Sequence, residues 1–385
     1  MLNTIIIGAG PSGSYMAKKL TQLGHKVIVL EKKAAPGHDV CCTGIIGKEC
    51  RELLTINDNL IMRQVNSAKF FVPSGKSFRL WRDDEVAYIV ERSSLDRELA
   101  NRAQSVGAEY HFSTQVTDIE FDTRCVRVKT NGNSNGSIFE AETAVIATGY
   151  GSTLPGNLDL GKIHDYIIGA QAEVNICDVE EVEIYLDREL APGGFAWLVP
   201  TKDGKGLAGL ITLRQQEWHL NQLLSMLQSQ GKISSSHTEN GCGVIPLSRL
   251  PKTYSDRILV VGEAAGQTKP TTGGGIYYGI LCADMAANVL HNAHKAGDYS
   301  AAKLSSYQKL WRAELGRELT VDHWAQRLWA KLSNRHIEYI FNTAYRKGMP
   351  GLISTSSTFS FDWHSPLLLQ LAYSLLPFVK PKKRL

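Results

Sequence analysis

The stretch Thr4-Ile5-Ile6-Ile7-Gly8-Ala9-Gly10-Pro11-Ser12-Gly13 decides the fold of this chain. Its apolar start is typical of a buried parallel strand, and the apolar spacing after Gly13 predicts a helix. Gly8 permits the tight turn, Gly10 lets a ligand approach the backbone, and Gly13 lets the helix pack closely on the strand. The first turn of the helix offers free N–H groups to a pyrophosphate. The pattern therefore predicts a dinucleotide-binding unit.

An acidic residue ends the next strand of this unit. Residues 26–30 form a second strand-like run, and Glu31 follows it. About 20 residues past the glycines, a carboxylate can accept hydrogen bonds from ribose hydroxyls. An acid at this position favours a free 2′-hydroxyl and disfavours a 2′-phosphate, so we do not expect an NADP site here.

A second glycine-rich segment follows another strand-like run, 257–261. It contains the acidic turn Gly262-Glu263-Ala264-Ala265-Gly266 and then 269–276 (KPTTGGGI), which opens a helix. NAD needs only one such site. A second acidic turn suits the ribityl chain of a flavin, and a glycine-rich helix start suits a flavin phosphate or the flavin ring edge. The sequence thus favours FAD over NAD.

These segments, with Arg92 and Asp96, resemble the flavoproteins that include aromatic hydroxylases, flavin halogenases and geranylgeranyl reductases. The geranylgeranyl reductase family shows the fullest resemblance. Four stretches of this chain are similar to segments of that family. The stretch 269–279 (KPTTGGGIYYG) resembles its flavin segment, and Cys42-Thr43-Gly44 resembles its cysteine-glycine segment. The stretch 195–200 (FAWLVP) resembles its substrate-pocket motif, and 307–318 (YQKLWRAELGRE) resembles its helical tail.

The chain departs from the family pattern at several positions. Glu263 stands where the wider group usually has Asp, and Phe195 and Val199 replace the Tyr and Phe of the substrate motif. The stretch 209–211 lacks a second glycine. Residues 147–149 (ATG) stand where hydroxylases usually have an Asp-Gly pair, which weakens the hydroxylase interpretation.

The resemblance implies an FAD cofactor and a set of residues that hold it. The electron donor stays open between NADPH and ferredoxin, because no second pyridine-nucleotide fingerprint is present. The residues assigned to FAD are Gly8, Gly10, Pro11, Gly13, Ser14, Glu31, Lys32, Cys42, Thr43, Gly44, Arg92, Val116, Gly262, Glu263, Pro270, Gly273, Gly274, Gly275 and Ile276. For Arg92, a plain surface arginine is the alternative.

The fold class that follows is α/β, with a Rossmann-like FAD-binding domain, an inserted, mostly antiparallel β domain for the substrate and a C-terminal helical region. We expect the FAD-binding domain to be discontinuous and the C-terminal region, 299–385, to be helical and associated with a membrane. The expected ranges are 1–65, 92–165 and 252–298 for FAD binding, and 66–91 and 166–251 for the substrate domain.

The family resemblance implies a reductase that saturates C=C bonds of geranylgeranyl or other polyprenyl chains linked to a diphosphate, a lipid, a quinone or a chlorophyll precursor. The addition needs an apolar site and a positioned acid. We assign catalytic roles to Cys42, Trp197 and Tyr277. A thiol is mostly protonated at neutral pH and can donate, but Cys42 can equally be a packing residue. Trp197, Phe195, Tyr277 and Tyr278 can line a substrate tunnel or belong to an ordinary core.

Two other functions stay open. A flavin-dependent monooxygenase or halogenase is the first alternative, although the halogenase tryptophan signature is missing. A lipid-binding protein that keeps FAD only for its structure is the second. His291 and His294 lie one helical turn apart, and without a third ligand they predict a solvated face rather than a metal site.

Composition restricts the partners and the location. The net charge of +4 is small for 385 residues, so we expect no nucleic-acid partner. Seven cysteines without a CxxC pair, and a start without a basic leader, favour a cytoplasmic protein. The oligomeric state is unknown.

The C-terminal sequence combines an apolar stripe with a basic cluster. The apolar run 366–379 is too short to span a bilayer. We expect a peripheral membrane contact here, with packing on the protein's own core as the alternative. The stripe and the cluster are Leu367, Leu368, Leu371, Leu375 and Phe378, and then Lys380, Lys382, Lys383 and Arg384.

Overall fold

The computed structural model describes residues 2–132, 136–236, 241–355 and 360–369. The strands are β1 (Leu2–Ile7), β2 (Val27–Leu30), β3 (Ile45–Gly47), β4 (Ile61–Val65), β5 (Ser67–Phe71), β6 (Ser77–Trp81), β7 (Ala87–Val90), β8 (Glu109–His111), β9 (Thr114–Phe121), β10 (Val126–Gly132), β11 (Ile138–Ile146), β12 (Tyr166–Ile176), β13 (Val182–Tyr185), β14 (Phe195–Pro200), β15 (Lys205–Thr212), β16 (Ile233–Ser236), β17 (Gly241–Pro246), β18 (Tyr254–Ser255) and β19 (Ile258–Val260). The helices are α1 (Pro11–Gln22), α2 (Lys48–Leu54), α3 (Arg92–Ser105), α4 (Leu154–Asn157), α5 (Gln216–Ser229), α6 (Ile276–Ala296), α7 (Ala301–Trp329), α8 (Asn334–Arg346) and α9 (Met349–Thr355). Short 3₁₀ helices lie at Asp58–Leu60 and Gly262–Ala265.

The first compact unit contains Met1–Val40, Glu91–Tyr166 and Val244–Leu319. Its sheet has the order β18-β19-β11-β1-β2-β8. The neighbours from β19 to β8 run parallel. The apolar runs of β1 and β2 are buried, as expected for parallel strands covered on both faces. The antiparallel pair β9 and β10 extends this sheet from β11.

The N-terminal part of α7 packs in this first unit. The indole N–H of Trp311 donates to Thr253 Oγ1 at 3.0 Å. The Tyr307 hydroxyl donates to the carbonyl of Val260 at 3.1 Å and accepts from the Gln267 amide at 2.8 Å. Both aromatic side chains are fully buried with their polar atoms paired, so this helical segment is part of the core.

The second compact unit contains Cys41–Val90, Ile167–Gly243 and Thr320–Leu385. Its larger sheet has the order β16-β12-β15-β14-β13-β5-β6 and is antiparallel except between β13 and β5. A smaller antiparallel sheet has the order β3-β7-β4. Helix α5 packs Leu220, Leu223 and Leu227 into the core of the larger sheet.

The predicted fold class is confirmed, and the two units divide the chain at positions that differ from the expected ones. Residues 41–65 join the second unit because β3 and β4 both pair with β7. Residues 301–319 join the first unit because of the Trp311 and Tyr307 contacts. Cys41 and Cys42 are both free thiols.

The prediction of a solvated face at His291 and His294 is wrong for His294. Its side chain is only 4% exposed and lies 3.1 Å from both Glu142 Oε2 and Thr4 Oγ1. Burial, followed by the nearby His25, lowers the pKa of His294 to about 4. His25 bonds His291 at 2.9 Å between ring nitrogens. Across the ranges that the structure describes, no group of three or more His, Cys, Asp or Glu side chains could hold a metal ion.

The predicted C-terminal membrane contact falls largely on residues 370–385, which lie outside the described residues. Leu367 and Leu368 are described and lie in a short helical turn at the end of the described chain. No helix in the described ranges has both the length and the apolar content needed to cross a bilayer.

Candidate cofactor site

The glycines of the first loop have three different physical roles. Gly8 has a φ of +107°, and a Cβ there would lie 2.4 Å from the carbonyl oxygen of Ala147. A Cβ at Gly13 would lie 2.0 Å from the carbonyl oxygen of Gly8. A Cβ at Gly10 would meet nothing within 4 Å. Packing therefore requires Gly8 and Gly13, whereas Gly10 borders the open space that a pyrophosphate needs.

The start of α1 provides hydrogen-bond donors to this open space. Gly10 is the N-cap and makes no side-chain cap, Pro11 occupies the first turn, and that turn contains no acidic residue. The early N–H groups of a helix carry partial positive charge when no side chain neutralises them. Ser14 is turned away, because its hydroxyl donates to the carbonyl of Ala9 at 3.1 Å.

Glu31 closes the loop at the end of β2. Its Oε2 accepts from the backbone N–H of Ala9 at 2.7 Å, and its Oε1 accepts from the backbone N–H of Lys33 at 2.9 Å. A carboxylate has further lone pairs after these two bonds, so Glu31 can also accept from a ribose hydroxyl. Lys32, beside it, is exposed.

The two glycine-rich segments meet within the first unit although they lie about 250 residues apart. The contact is Ser12 of α1, whose hydroxyl oxygen would lie 2.8 Å from a Cβ at Gly262 and 2.5 Å from one at Gly279. Gly279 is in α6, so the absence of side chains at both glycines lets α1 and α6 approach each other. The prediction did not include Ser12 or Gly279. Only the position of Gly279, four residues after Gly275, indicates a small contact on that helix face.

Glu263 lies between two glycines in the same unit. Its carboxylate oxygens would lie 3.8 Å from a Cβ at Gly149 and 3.2 Å from a Cβ at Gly275. Burial raises the pKa of the Glu263 carboxyl, while the charge of Arg92 and a backbone hydrogen bond from Tyr150 oppose this shift. The acidic turn, the start of α6 and the loop after β11 therefore converge on one carboxyl group.

Arg92 is held in a fixed orientation by Asp96. Its Nη2 bonds Oδ1 at 2.7 Å and Oδ2 at 2.8 Å. The Arg92 side chain is only 12% exposed, so the alternative of a surface arginine is wrong. Burial raises the pKa of Asp96, Arg92 lowers it and the charge of Glu31 raises it. The structure thus brings Glu31, Arg92 and Glu263 into one electrostatic neighbourhood.

A cavity of about 280 Å³ adjoins these segments in the first unit. Its lining includes residues 149–153, Lys162, Leu250 and Ala264. The loop at 149–153 follows β11, and Ala264 follows β19. The cavity is therefore at the carboxyl ends of parallel strands, where open α/β sheets bind their ligands.

The remaining predicted residues of this unit lie in or next to these elements. Tyr277 is half-buried in the first turn of α6, whereas Tyr278 is fully buried and belongs to the core. Val116 lies on β9 and packs against the core of the parallel sheet. Gly275 is the N-cap of α6, which begins at Ile276 without a side-chain cap, and Pro270, Gly273 and Gly274 form the turn before it.

Three predicted cofactor residues, Cys42, Thr43 and Gly44, belong to the second unit, and Cys42 is also a predicted catalytic residue. The backbone N–H of Gly44 lies 3.4 Å from the Cys42 sulfur, and Gly44 has a φ of +72°. The Thr43 hydroxyl donates to the Gln171 side chain at 2.7 Å. Cys42 is half-buried. The side chains of this segment are thus held locally, and their role toward FAD stays a prediction.

Trp197 is directly opposite Gly209 on neighbouring strands. The two residues pair across β14 and β15, and a Cβ at Gly209 would lie 2.6 Å from the indole ring. Trp197 packs with Val182, Val199 and other apolar residues of this unit. Its indole N–H is buried and has no hydrogen-bond partner in the described part of the chain. A side chain at position 209 would collide with the indole ring, so this position requires glycine.

Comparisons with known proteins indicate an oxidoreductase. A family model described as pyridine nucleotide-disulphide oxidoreductase matches residues 2–176. Digeranylgeranylglycerophospholipid reductase 2 of Methanopyrus kandleri is 28% identical over 369 residues, which cover 91% of this chain and 92% of that protein. The chain is thus similar over most of its length to reductases that are named for geranylgeranyl lipids. It is an FAD-dependent oxidoreductase.

Solved structures share the fold of this chain. A geranylgeranyl bacteriochlorophyll reductase-like protein from Thermoplasma acidophilum is similar with a TM-score of 0.86 and 23% identity, over 98% of this chain and 97% of that one. A flavin-dependent brominase is similar with a TM-score of 0.69 and 15% identity, over 97% and 98% of the two chains. At these identities the similarity shows the fold alone, so it does not separate a reductase from a halogenase.

Proposed function

We propose that this flavoprotein saturates carbon–carbon double bonds in geranylgeranyl or related polyprenyl chains, with a glycerophospholipid carrying such chains as the first substrate to test. A hydride and a proton add across one double bond, and reduced FAD supplies the hydride and is oxidised. The product gains two hydrogens for each two-electron oxidation of the cofactor. NADPH and ferredoxin both remain candidates for the external donor.

One observation carries this proposal: similarity to a protein named for digeranylgeranylglycerophospholipid reduction extends over nearly the full length of both chains. A match confined to the dinucleotide-binding segment would support only a flavoprotein. Here the matched length includes the larger part of the second unit, to which Cys42 and Trp197 belong. A second relative with the same type of name, from Methanocella arvoryzae, covers 86% of the chain.

In this proposal the first unit binds FAD and the second provides residues for the substrate. The open space at Gly10 and the uncapped starts of α1 and α6 suit a pyrophosphate and a flavin, so the residues present fit the cofactor. Trp197 contributes an apolar ring to the wall of an isoprenoid site. Its unpartnered N–H is a donor that a polar group of the substrate can use.

If the protein catalyses this reaction, its substrate should reoxidise the reduced flavin in the absence of oxygen. We expect dithionite-reduced enzyme, mixed with a digeranylgeranyl glycerophospholipid in the absence of oxygen, to recover the absorbance of oxidised FAD. Mass spectrometry should then show lipid products heavier by whole pairs of hydrogens. Geranylgeranyl diphosphate in a parallel reaction tests whether the lipid head group is required.

The same experiment contains the outcome that contradicts the proposal. If the flavin stays reduced with both substrates and reoxidises only when air is admitted, the proposal that this protein reduces these chains is wrong. An oxygen atom in the product would then indicate a monooxygenase. Oxidised lipid standards and enzyme without FAD serve as controls for non-enzymatic reduction by dithionite.

We further predict that Cys42 donates the proton. Replacement by alanine in Cys42→Ala should lower product formation by roughly 100-fold, because a positioned general acid commonly contributes that much or more. FAD content and the rate of flavin reduction by dithionite should not change, since the thiol does not take part in either. Single-turnover product formation in the anaerobic reaction measures the effect.

Cys41→Ala is the matched control for this prediction. Cys41 is the adjacent thiol and is also half-buried, and it has no assigned chemical role. Product formation should stay within about twofold of the wild-type rate in this variant. Equal rates in Cys42→Ala and Cys41→Ala would show that Cys42 only packs.

A further inference from the structure

The end of α7 exposes two large apolar side chains on one face. Trp324 is 68% exposed and Leu328 is 65% exposed, and they lie one helical turn apart. Scattered single apolar residues are normal on a protein surface, but an adjacent tryptophan–leucine pair forms a patch. We name Trp324, Arg327, Leu328 and Lys331 the α7 face.

The charge around this pair has one sign. Arg327 and Lys331 flank the apolar pair, and Arg335 follows at the start of α8; all three are exposed. None of them forms an ion pair within the described ranges of the chain. The acidic residues between 320 and 349 are Asp322, which is fully buried, and Glu338, which accepts a hydrogen bond from the backbone of Ser74. Among residues 320–349 the exposed surface is therefore apolar and basic. One carboxylate of another element, Asp187, lies beside the start of α8, where it accepts a hydrogen bond from the Asn334 side chain at 3.0 Å.

We propose that the α7 face binds the surface of a bilayer that contains anionic phospholipids. Trp324 and Leu328 would insert at the level of the lipid head groups, and the basic side chains would contact phosphates. Tyr339 on α8, 69% exposed, is a second aromatic residue suited to an interface. Membrane binding goes beyond the proposed reaction and can be tested without any turnover.

A lipid surface fits these residues better than a protein partner does. The buried centre of a protein–protein interface is depleted of lysine, because an ammonium group loses its hydration there. On a bilayer, lysine and arginine keep their charged ends in the hydrated head-group layer while tryptophan and leucine enter the apolar layer. The α7 face places both kinds of side chain together, with Trp324, Arg327 and Leu328 in the last turns of α7 and Lys331 in the turn that follows.

The test uses full-length holoprotein and flotation with lipid vesicles. We expect binding to vesicles of mixed phosphatidylcholine and phosphatidylglycerol, and weak binding to phosphatidylcholine alone. Binding should decrease as salt increases, because exposed charges are screened. The double variant Trp324→Ala and Leu328→Ala should lower the partition coefficient by roughly tenfold or more, since two buried apolar side chains are lost.

The matched control is Trp218→Ala on α5. Trp218 is also an exposed tryptophan on a helix of the same unit, with 54% exposure, but an acidic residue, Glu217, precedes it. This variant should bind vesicles like the wild type. The circular dichroism spectrum and the thermal midpoint of each variant verify that it is folded, so lost binding cannot be assigned to unfolding.

Three results would overturn the proposal. The first is unchanged vesicle binding in the double variant together with lost binding after neutralisation of Lys380, Lys382, Lys383 and Arg384, which would assign the contact to the tail. The second is absence of binding to anionic vesicles by the wild type. The third is a dimer in light scattering that Trp324→Glu dissociates, which would make this face an interface between two copies of the chain. None of them affects the proposed reaction, which is measured with dispersed substrate.

Discussion

Gly13→Ala is expected to abolish FAD binding under ordinary purification conditions. The new Cβ would lie 2.0 Å from the carbonyl oxygen of Gly8 and 3.3 Å from the Ala147 side chain. The first of these contacts is with backbone, so rotation of a side chain cannot relieve it. The loop and α1 must move apart, which costs about 3 kcal/mol for overpacking of this kind.

The same displacement moves the N–H groups of α1 away from the pyrophosphate. A loss of about 3 kcal/mol in binding corresponds to roughly a 100-fold weaker affinity for FAD. The measurement is FAD titration of the apoprotein by fluorescence, together with the thermal midpoint of the apoprotein. We expect both values to fall in Gly13→Ala, because the clash exists with and without cofactor.

Gly10→Ala separates ligand contact from packing. A Cβ at Gly10 meets nothing within 4 Å, so the stability of the apoprotein should stay nearly unchanged. FAD affinity should still fall, because the added methyl group occupies the space that the pyrophosphate needs. If Gly10→Ala keeps the wild-type affinity, the phosphates do not bind against this loop.

Gly316→Ala on α7 is the control for the effect of a glycine-to-alanine change in this unit. A Cβ there would make only an ordinary contact, 3.8 Å from the Arg312 side chain. Because alanine favours helix more than glycine does, we expect slightly higher stability, by up to about 1 kcal/mol, and unchanged FAD affinity. A loss of FAD in this variant would show that the titration reports general damage.

The geometry of the first loop could be predicted because its determinants are local. Gly8, Gly13 and Glu31 lie within 24 residues, and each has a role fixed by strand–turn–helix geometry. The structure gives each of them the expected position, including the carboxylate of Glu31 beside the loop. The assignment of FAD rather than NAD needed a second, distant segment, and it was predicted from the family resemblance as well as from the acidic turn.

Strand pairing over longer distances could not be predicted in the same way. Residues 45–47 and 61–65 form strands whose partner, β7, begins at Ala87. A strand pattern indicates which face of a strand is apolar, but it does not identify the partner strand. The expected FAD-binding range therefore extended to residue 65, whereas the first unit ends its N-terminal part at Val40.

The burial of His294 depends on residues from two strands and a loop. Helical spacing places His291 and His294 on one face, and it does not indicate what packs against that face. In the structure Thr4 of β1, Glu142 of β11 and Tyr299 surround the His294 ring. A histidine beside a carboxylate and a hydroxyl is satisfied in the core, so a solvated position is not required.

The largest stability effect in the second unit is expected for Arg188→Met. The Arg188 guanidinium donates to the carbonyls of Leu332 at 3.1 Å, Gly194 at 3.3 Å and Trp329, and it stacks over the Trp329 ring at 4.5 Å. Burial lowers the pKa of Arg188 to about 10, which still leaves it charged at neutral pH. No sequence motif indicated this residue.

Trp329 is the last residue of α7, and Leu332 follows in the segment after the helix, where its backbone N–H donates to the Trp329 carbonyl at 3.1 Å. Methionine keeps much of the side-chain volume but leaves these carbonyls without their cationic donor, so we expect a loss of about 3 kcal/mol in the free energy of unfolding. Denaturant unfolding followed by circular dichroism measures it. FAD absorbance in the native variant should remain, because the guanidinium contacts lie within the second unit.

Arg79→Met is the matched control, because Arg79 is also a paired arginine of the second unit. It forms an ion pair with Glu181, and its side chain is half exposed. An exposed pair contributes roughly 0–1 kcal/mol, so this variant should unfold near the wild-type midpoint. Equal midpoints for the two variants would show that Arg188 does not stabilise the end of α7. A lower midpoint for Arg188→Met alone would show that three backbone carbonyls, rather than the loss of one positive charge, determine the effect.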